Sequence, residues 1–162
     1  MGNADDLFQR AVVALSDEDL ERAEQLTKEL LELDPEYIDG WSLLANIYQQ
    51  NQQYDQAVAA AIQATTLDPK NLQFWNNLGY LYLLQSNWIE GEKCYAKALT
   101  LPDPPPTIFL NHAWALIELG EETRAKEQLQ QALTQSLEDT LIDDLETNVH
   151  YAKLRPLLKQ IK

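Results

Sequence analysis

The spacing of apolar residues predicts helices along most of the chain. In the segment that begins at residue 41, apolar side chains recur at positions i, i+3, i+4 and i+7, as Trp41, Leu44, Ala45 and Tyr48. Residues at this spacing share one face of a helix with 3.6 residues per turn. Leu, Ala, Gln and Glu, which all favour helix, dominate the composition. The pattern therefore predicts an all-α protein.

The same apolar stripe repeats every 34 residues. Four repeats fit the chain without an insertion, at about 4–37, 38–71, 72–105 and 106–139, and the predicted repeat region as a whole is 1–135. Each repeat predicts two helices, and a proline ends the second helix of the early repeats. One helix pair cannot bury its own apolar face, but a stack of pairs can. The best-matched pair of repeats contains Trp41, Leu44, Ala45, Tyr48, Ala57, Ala64 and Pro69 in one copy and Trp75, Leu78, Gly79, Tyr82, Gly91, Ala98 and Pro102 in the next.

These positions resemble the signature of the tetratricopeptide repeat (TPR) family. The run Trp75-x-x-Leu78-Gly79-x-x-Tyr82 matches the family's first helix in full, and Tyr95 and Ala98 stand at later signature positions. The resemblance covers about 85% of the chain. It implies a TPR solenoid of about four helix-turn-helix repeats, whose first helices line a concave surface. It also implies a non-catalytic protein that binds other proteins.

The last part of the chain, 136–162, predicts a C-terminal capping helix with a basic tail. Leu141, Leu145, Val149 and Ala152 form an apolar stripe, and Pro156 is expected to break or kink the chain. Repeat arrays need such covers at their ends, because a terminal repeat otherwise exposes an apolar face.

Charge and cysteine content narrow the choice of partners and compartment. The formal net charge is −14, so nucleic acid and anionic membrane surfaces are unexpected partners. Cys94 is the only cysteine, which is consistent with a reducing compartment. The start of the chain lacks the features of a signal peptide, and no apolar run is long enough for a membrane span. We expect a cytoplasmic protein, although a soluble fragment of an anchored protein remains open.

Motifs for catalysis, cofactor binding or metal binding are not found, so no enzymatic activity, cofactor or metal is expected. The chain has no phosphate-binding glycine loop and no zinc-protease motif. Glu146 and His150 lie four residues apart beside Asp143, a spacing more typical of a solvated helix face than of a metal site. The prolines at 102–106 could bind an SH3-type domain, but their position in the register favours a linker between repeats.

A row of uncharged residues marks the predicted concave groove. The 34-residue register places its members on the first helix of each pair, one face away from the packing stripe. Amide side chains can donate to and accept from an extended peptide backbone, and aromatic residues are common interface anchors. We expect an apolar or amphipathic peptide, with basic flanks that match the acidic protein, anchored near Tyr80 and Trp114. The predicted groove residues are Val12, Asn46, Asn76, Asn77, Tyr80, Leu83, Asn111, Trp114 and Ile117.

Two functional hypotheses follow from this groove. The first is an assembly or scaffold adaptor that docks a peptide or helix of a partner protein. The alternative is a dedicated chaperone for an aggregation-prone client. The stretch Pro104-Pro105-Pro106 leading into His112-Ala113 resembles the translocator chaperones of type III secretion. Capture of an acidic C-terminus, as in TPR co-chaperones, is not expected because the groove lacks the required Lys and Arg.

Overall fold

The computed structural model describes residues 2–135 and 139–161. Within these ranges the chain folds into ten α-helices and one 3₁₀ helix, and no β-strand is present. The prediction of an all-α protein built from successive helix pairs is confirmed. The helices are α1 (Gly2–Ser16), α2 (Leu20–Leu33), α3 (Ile38–Gln50), α4 (Tyr54–Leu67), α5 (Leu72–Leu84), α6 (Trp88–Ala98), α7 (Pro106–Glu118), α8 (Glu122–Gln135), α9 (Asp139–Thr147), the 3₁₀ helix η1 (Val149–Leu154) and α10 (Arg155–Ile161).

The chain forms two compact units, Met1–Leu81 and Tyr82–Lys162. In the first unit α1 packs against α2, α2 against α3, and α3 against α4. In the second unit α6 packs against α7 and α7 against α8, while η1 contacts α7, α9 and α10. The prolines at 102–106 connect α6 to α7, and Pro106 occupies the first turn of α7, where a missing backbone N–H does no harm.

The C-terminal region, for which a capping helix with a break or kink at Pro156 is predicted, contains three short helices, α9, η1 and α10. Asn148 ends α9, and its side chain accepts a hydrogen bond from the backbone N–H of His150 at the start of η1. Pro156 lies in the first turn of α10, a position where proline is well tolerated, so it stands at the start of a helix and does not kink one. The predicted start of the cap, at residues 136–138, lies outside the described residues.

The turn inside each helix pair has the same left-handed residue at a spacing of 34. Glu18, Gln52, Ser86 and Gly120 have φ angles of 61°, 58°, 58° and 79°. This is the conformation that closes a Schellman motif at the end of a helix, and it normally favours glycine. Three of these positions are not glycine, so the helix pair imposes the conformation on them. The amide of the next residue donates to a carbonyl five residues earlier at 2.8 to 2.9 Å, in Asp19 to Ala14, Gln53 to Tyr48, Asn87 to Tyr82 and Glu121 to Leu116.

The two signature tryptophans of the first unit form hydrogen bonds across the turns that connect one helix pair to the next. The indole N–H of Trp41 donates to the carbonyl oxygen of Pro35 at 2.8 Å, and that of Trp75 donates to Pro69 at 2.9 Å. Both bonds reach back six residues, across the turn that precedes the helix. Each tryptophan is only half-buried. The tryptophan therefore fixes the entry of its helix as well as packing against its neighbours.

The core of the first unit depends on small residues and close helix approach. One buried cluster contains Leu7, Leu30 and Ile47, which come from α1, α2 and α3. Three alanines of α1 and α2 belong to the same cluster. At the start of α3, a Cβ added to Gly40 would lie 3.0 Å from Leu31 and 3.1 Å from Leu30. Because only a hydrogen fits there without displacing a leucine, Gly40 allows α3 to approach α2 closely.

Candidate functional site

A groove in the first unit is lined by three successive first helices, α1, α3 and α5. Its volume is about 370 Å³. All of its lining side chains except Asp39 are uncharged, as the sequence pattern predicts for a peptide site. We call it the α1–α3–α5 groove. The lining residues are Phe8 from α1, Asp39, Ser42, Leu43, Ala45, Asn46 and Gln49 from α3, and Asn77 and Leu81 from α5.

Two asparagines supply the groove with oriented amides. The side-chain oxygen of Asn46 accepts from the Gln50 amide at 3.0 Å, and the oxygen of Asn77 accepts from the Gln73 amide at 3.0 Å. Each bond joins residues four apart on one helix and so holds the amide plane in position. With the oxygens engaged in this way, the amide nitrogens are the groups best placed to donate to a ligand carbonyl.

The remaining predicted residues of the first unit are not among the side chains that line the groove. Val12, Asn76 and Tyr80 are each half-buried. Burial raises the pKa of the Tyr80 hydroxyl, and the nearby Tyr54 raises it further. Tyr80 therefore stays protonated and can act as a hydrogen-bond donor across the physiological pH range.

Of the nine lining residues, the predicted set named only Asn46 and Asn77, and two of those that it omitted follow from helix geometry. Asp39 lies one helical turn before Leu43 on α3, and Leu81 lies one turn after Asn77 on α5. Each shares a helix face with another lining residue, because residues four apart lie above one another. Asp39 matters most, since it gives the groove its single negative charge.

In the second unit the predicted groove residues are largely buried. Leu83, Asn111 and Trp114 expose only 1%, 7% and 4% of their surface, and Ile117 is half-buried. The cover over Asn111 and Trp114 comes from η1. The Tyr151 hydroxyl donates to the side-chain oxygen of Asn111 at 2.6 Å. Asn111 and Trp114 therefore do not form an open groove in this structure.

Aromatic contacts hold η1 on Trp114. The His150 ring lies 4.7 Å from the Trp114 ring between centroids, and the Tyr151 ring meets it edge-on at 6.1 Å and 88°. The Trp114 ring also lies near the Trp88 ring, with 6.0 Å between their centroids. Edge-on and tilted pairs at these distances are the favourable arrangements for aromatic rings. Trp114 is predicted from the sequence to anchor a partner peptide, whereas in this structure its ring packs against residues of the same chain.

His112 belongs to a polar cluster in the second unit. Its Nε2 lies 3.3 Å from a carboxylate oxygen of Glu92, which also accepts from Arg124 at 2.7 Å. Burial alone raises the pKa of Glu92, but the hydrogen bonds from Arg124 and His112 outweigh it and hold the pKa below its usual value. Burial lowers the pKa of His112, although Glu92 opposes this effect. The cluster ties α6, α7 and α8 together.

The free energy of unfolding is expected to fall as the pH decreases below about 6.5, the ordinary pKa of histidine. The folded chain binds a proton at His112 more weakly than the unfolded chain does, so protonation favours unfolding. One proton contributes at most about 1.4 kcal/mol per pH unit. Urea titrations at pH 7.5 and 5.5 measure the change.

The chain's only other histidine provides the matched control. His112→Gln should reduce the loss of stability between the two pH values, whereas His150→Gln should retain it. A loss of equal size in wild type and His112→Gln would contradict the assignment to His112. Above pH 5 the contribution from Glu92 stays in place, because its pKa is held low.

Each helix pair turns at a residue in the left-handed backbone region, and these residues recur at a fixed spacing. This arrangement defines a repeat protein of the helix-turn-helix solenoid class. The comparison with known sequences specifies the family. Tetratricopeptide repeat profiles match residues 14–78 and residues 106–139, which together make up more than half of the chain. The protein belongs to the tetratricopeptide repeat family. TPR proteins are interaction scaffolds, so this chain is a protein-interaction module.

Solved structures with the same fold include several of MamA. MamA from AMB-1 aligns with a TM-score of 0.74 and 20% identity over 86% of this chain and 78% of that one. The MamA 41-end chain from Desulfovibrio magneticus RS-1 aligns with a TM-score of 0.75 and 16% identity over 82% and 75% of the two chains. A further MamA crystal structure covers 99% of this chain and 94% of its own, with a TM-score of 0.74 and 14% identity. At these identities the likeness shows the fold alone.

A sequence relative is the RNA polymerase-associated protein CTR9 of Caenorhabditis elegans. It is 25% identical over 122 residues, which make up 72% of this chain. The chain spans about a tenth of that protein's length. The similarity therefore concerns a repeat segment and not a whole protein. Within the described part of the chain, no helix is both long and apolar enough to cross a bilayer.

Proposed function

We propose that the protein is a non-catalytic adaptor that docks a peptide segment of a partner protein in the α1–α3–α5 groove. The observation that supports this most directly is the lining of the groove, which is nearly free of charge in a chain of net charge −14. Surface helices normally face water with charged residues. A nearly uncharged row of amides and apolar groups on three successive first helices is instead suited to an apolar or amphipathic peptide.

Basic residues flanking the docked segment would fit the charge around the groove. Asp39 stands among the lining residues, and residues 1–40 carry 12 acidic and 3 basic side chains. Such complementarity mainly speeds the encounter and adds less to the final affinity. The amide nitrogens of Asn46 and Asn77 would donate to backbone carbonyls of the ligand, while Phe8 and Leu43 would contact its apolar side chains.

A selected peptide probe tests the proposal and takes the place of the natural partner. Twelve-residue peptides are selected from a random display library on the full chain, labelled with fluorescein and titrated by fluorescence anisotropy. Asn46→Ala combined with Asn77→Ala should weaken binding at least tenfold, about 1.4 kcal/mol, because two oriented donors are lost. Circular dichroism should show unchanged helix content, since alanine favours helix more than asparagine does.

The matched control removes two exposed amides from a different surface. Gln56 and Gln63 lie on α4, where they border a second depression next to Trp41. Gln56→Ala combined with Gln63→Ala should leave the affinity within twofold of wild type. If this pair weakens binding and the asparagine pair does not, the docking surface is on α4 and the proposed groove is wrong. A dedicated chaperone would use the same groove, but its client would aggregate when the protein is absent.

A further inference from the structure

The face of α7 beneath η1 corresponds to a groove-lining face of the first unit. Asn111, Trp114 and Glu118 follow one another at i, i+3 and i+7, so they share one side of α7. Counting back 34 residues from Asn111 leads to Asn77, which lines the α1–α3–α5 groove. By the repeat register, α7 therefore presents the surface on which a TPR helix is expected to receive a ligand, and in this structure that surface is occupied.

The occupant makes the contacts of a bound peptide. Tyr151 donates its hydroxyl to Asn111 at 2.6 Å and places its ring edge on Trp114. Lys153 forms an ion pair with Glu118, whose side chain is only 15% exposed. An aromatic anchor with a directed hydrogen bond and a charged partner nearby is the usual composition of an interface hot spot.

Most of the occupying segment is exposed to solvent. We call residues Val149–Lys153 the latch. It adopts a 3₁₀ conformation, whose hydrogen bonds are poorer than those of an α-helix. Val149 exposes 78% of its surface, and Ala152 and Lys153 are exposed as well. Tyr151 is the only latch residue that is buried.

The base of the latch is closed by hydrogen bonds that do not involve α7. The Arg155 guanidinium donates to the carbonyl oxygens of Leu145 and Asn148, each at 3.2 Å, and so joins the end of α9 to the start of α10. Leu145 and Leu154, on either side of the latch, expose none of their surface. Lifting the latch from α7 is a local opening, and such an opening costs less than global unfolding.

We propose that the latch is an intramolecular pseudo-ligand on α7 and that a partner peptide with a tyrosine followed two residues later by a lysine or arginine displaces it. The tyrosine would replace Tyr151 on Asn111 and Trp114, and the basic residue would replace Lys153 on Glu118. All of the residues concerned lie in the second unit, so the proposal does not depend on the α1–α3–α5 groove. The apparent affinity for such a peptide equals the affinity of the open form multiplied by the fraction of molecules in which the latch is open, so a mostly closed latch weakens binding.

The test uses a peptide copy of the latch as the probe. A fluorescein-labelled peptide with the sequence of residues 147–155 is titrated with the full chain and followed by fluorescence anisotropy. Tyr151→Ala should bind the probe at least tenfold more tightly than wild type, because the internal competitor has lost its anchor. Tyr151→Phe removes only the hydroxyl and should bind it about threefold more tightly.

Control variants establish that the probe binds at the α7 face. Val149→Ala changes an exposed latch residue and should leave the affinity within twofold of wild type. Glu118→Gln or Asn111→Ala, added to Tyr151→Ala, should remove most of the gain. A probe with alanine in place of its tyrosine should bind none of the variants. Asn46→Ala with Asn77→Ala should not change binding of the latch probe, which separates this site from the proposed function.

Two results would overturn the proposal. The latch is a fixed part of the fold if Tyr151→Ala and Tyr151→Phe melt cooperatively and yet bind the probe no more tightly than wild type. If Tyr151→Ala does not fold, Tyr151→Phe alone decides by the same criterion. If size-exclusion chromatography of the Tyr151 variants with the probe shows dimers in place of a one-to-one complex, the occupant of α7 is a second copy of the chain and not a partner peptide.

Discussion

Leu30→Ala is expected to lower the free energy of unfolding by about 3 to 4 kcal/mol. Leu30 lies on α2, exposes none of its surface and belongs to the buried cluster that joins α1, α2 and α3. Its Cδ2 atom also lies 3.1 Å from the position of a Cβ at Gly40, so it fills the closest approach of α2 and α3. Truncation leaves a cavity that the helices cannot fill without losing this contact. Urea unfolding followed by circular dichroism measures the loss.

A second leucine on the same helix serves as the control. Leu33, three residues further along α2, exposes 54% of its surface. Leu33→Ala removes the same atoms from the same helix but leaves no cavity, so we expect a loss below about 1 kcal/mol. Equal losses for the two variants would show that the buried face of α2 is assigned to the wrong side.

Ala57→Leu is expected to destabilise the protein by about 2 to 3 kcal/mol through overpacking. Ala57 is fully buried on α4, which packs against α3. The corresponding positions of the other repeats, 34 residues apart, hold Ala23, Gly91 and Ala125, all of them small and buried. A larger side chain at such a position forces the two helices of a pair apart. Thermal melting followed at 222 nm measures the effect.

Ala59→Leu is the matched substitution on the exposed side of α4. Leucine and alanine have similar helix propensities, so the control should change the free energy of unfolding by less than about 0.5 kcal/mol. Destabilisation by Ala59→Leu as large as that by Ala57→Leu would mean that helix propensity, and not the spacing between α3 and α4, limits the residues allowed.

The candidate groove was partly predictable from sequence because its rows follow the repeat. The register aligns Asn46 with Tyr80, which lies one turn from Asn77 on α5, so both asparagines were expected on the inner face of their helices, and both line the groove. The 34-residue register could not show how deep the groove is or where the groove ends, because both depend on how α1, α3 and α5 approach one another. For the same reason the prediction missed Asp39, one turn before Leu43, and Leu81, one turn after Asn77.

The sequence by itself determined the helix pairs and the spacing of their turns. Apolar residues at i, i+3, i+4 and i+7 define each helix locally, and the 34-residue repeat sets where each pair turns. The conformation of those turns was not readable from residue type, because Glu18, Gln52 and Ser86 adopt the left-handed region that Gly120 adopts without strain. The buried stripes of the two flanking helices fix the path between them, and the residue at the turn must follow it.

Only the tertiary structure decided the environment of Trp114. Its position on an uncharged helix face predicted an anchor for a ligand, and periodicity could not reveal that His150 and Tyr151 cover it. These residues come 36 and 37 positions later, in a segment outside the 34-residue pattern, so their pairing with α7 leaves no periodic signal. A repeat specifies contacts between equivalent positions of neighbouring units. A contact made by the last, non-repeating segment depends on where the chain returns, and that is determined by the packing of α9 and α10.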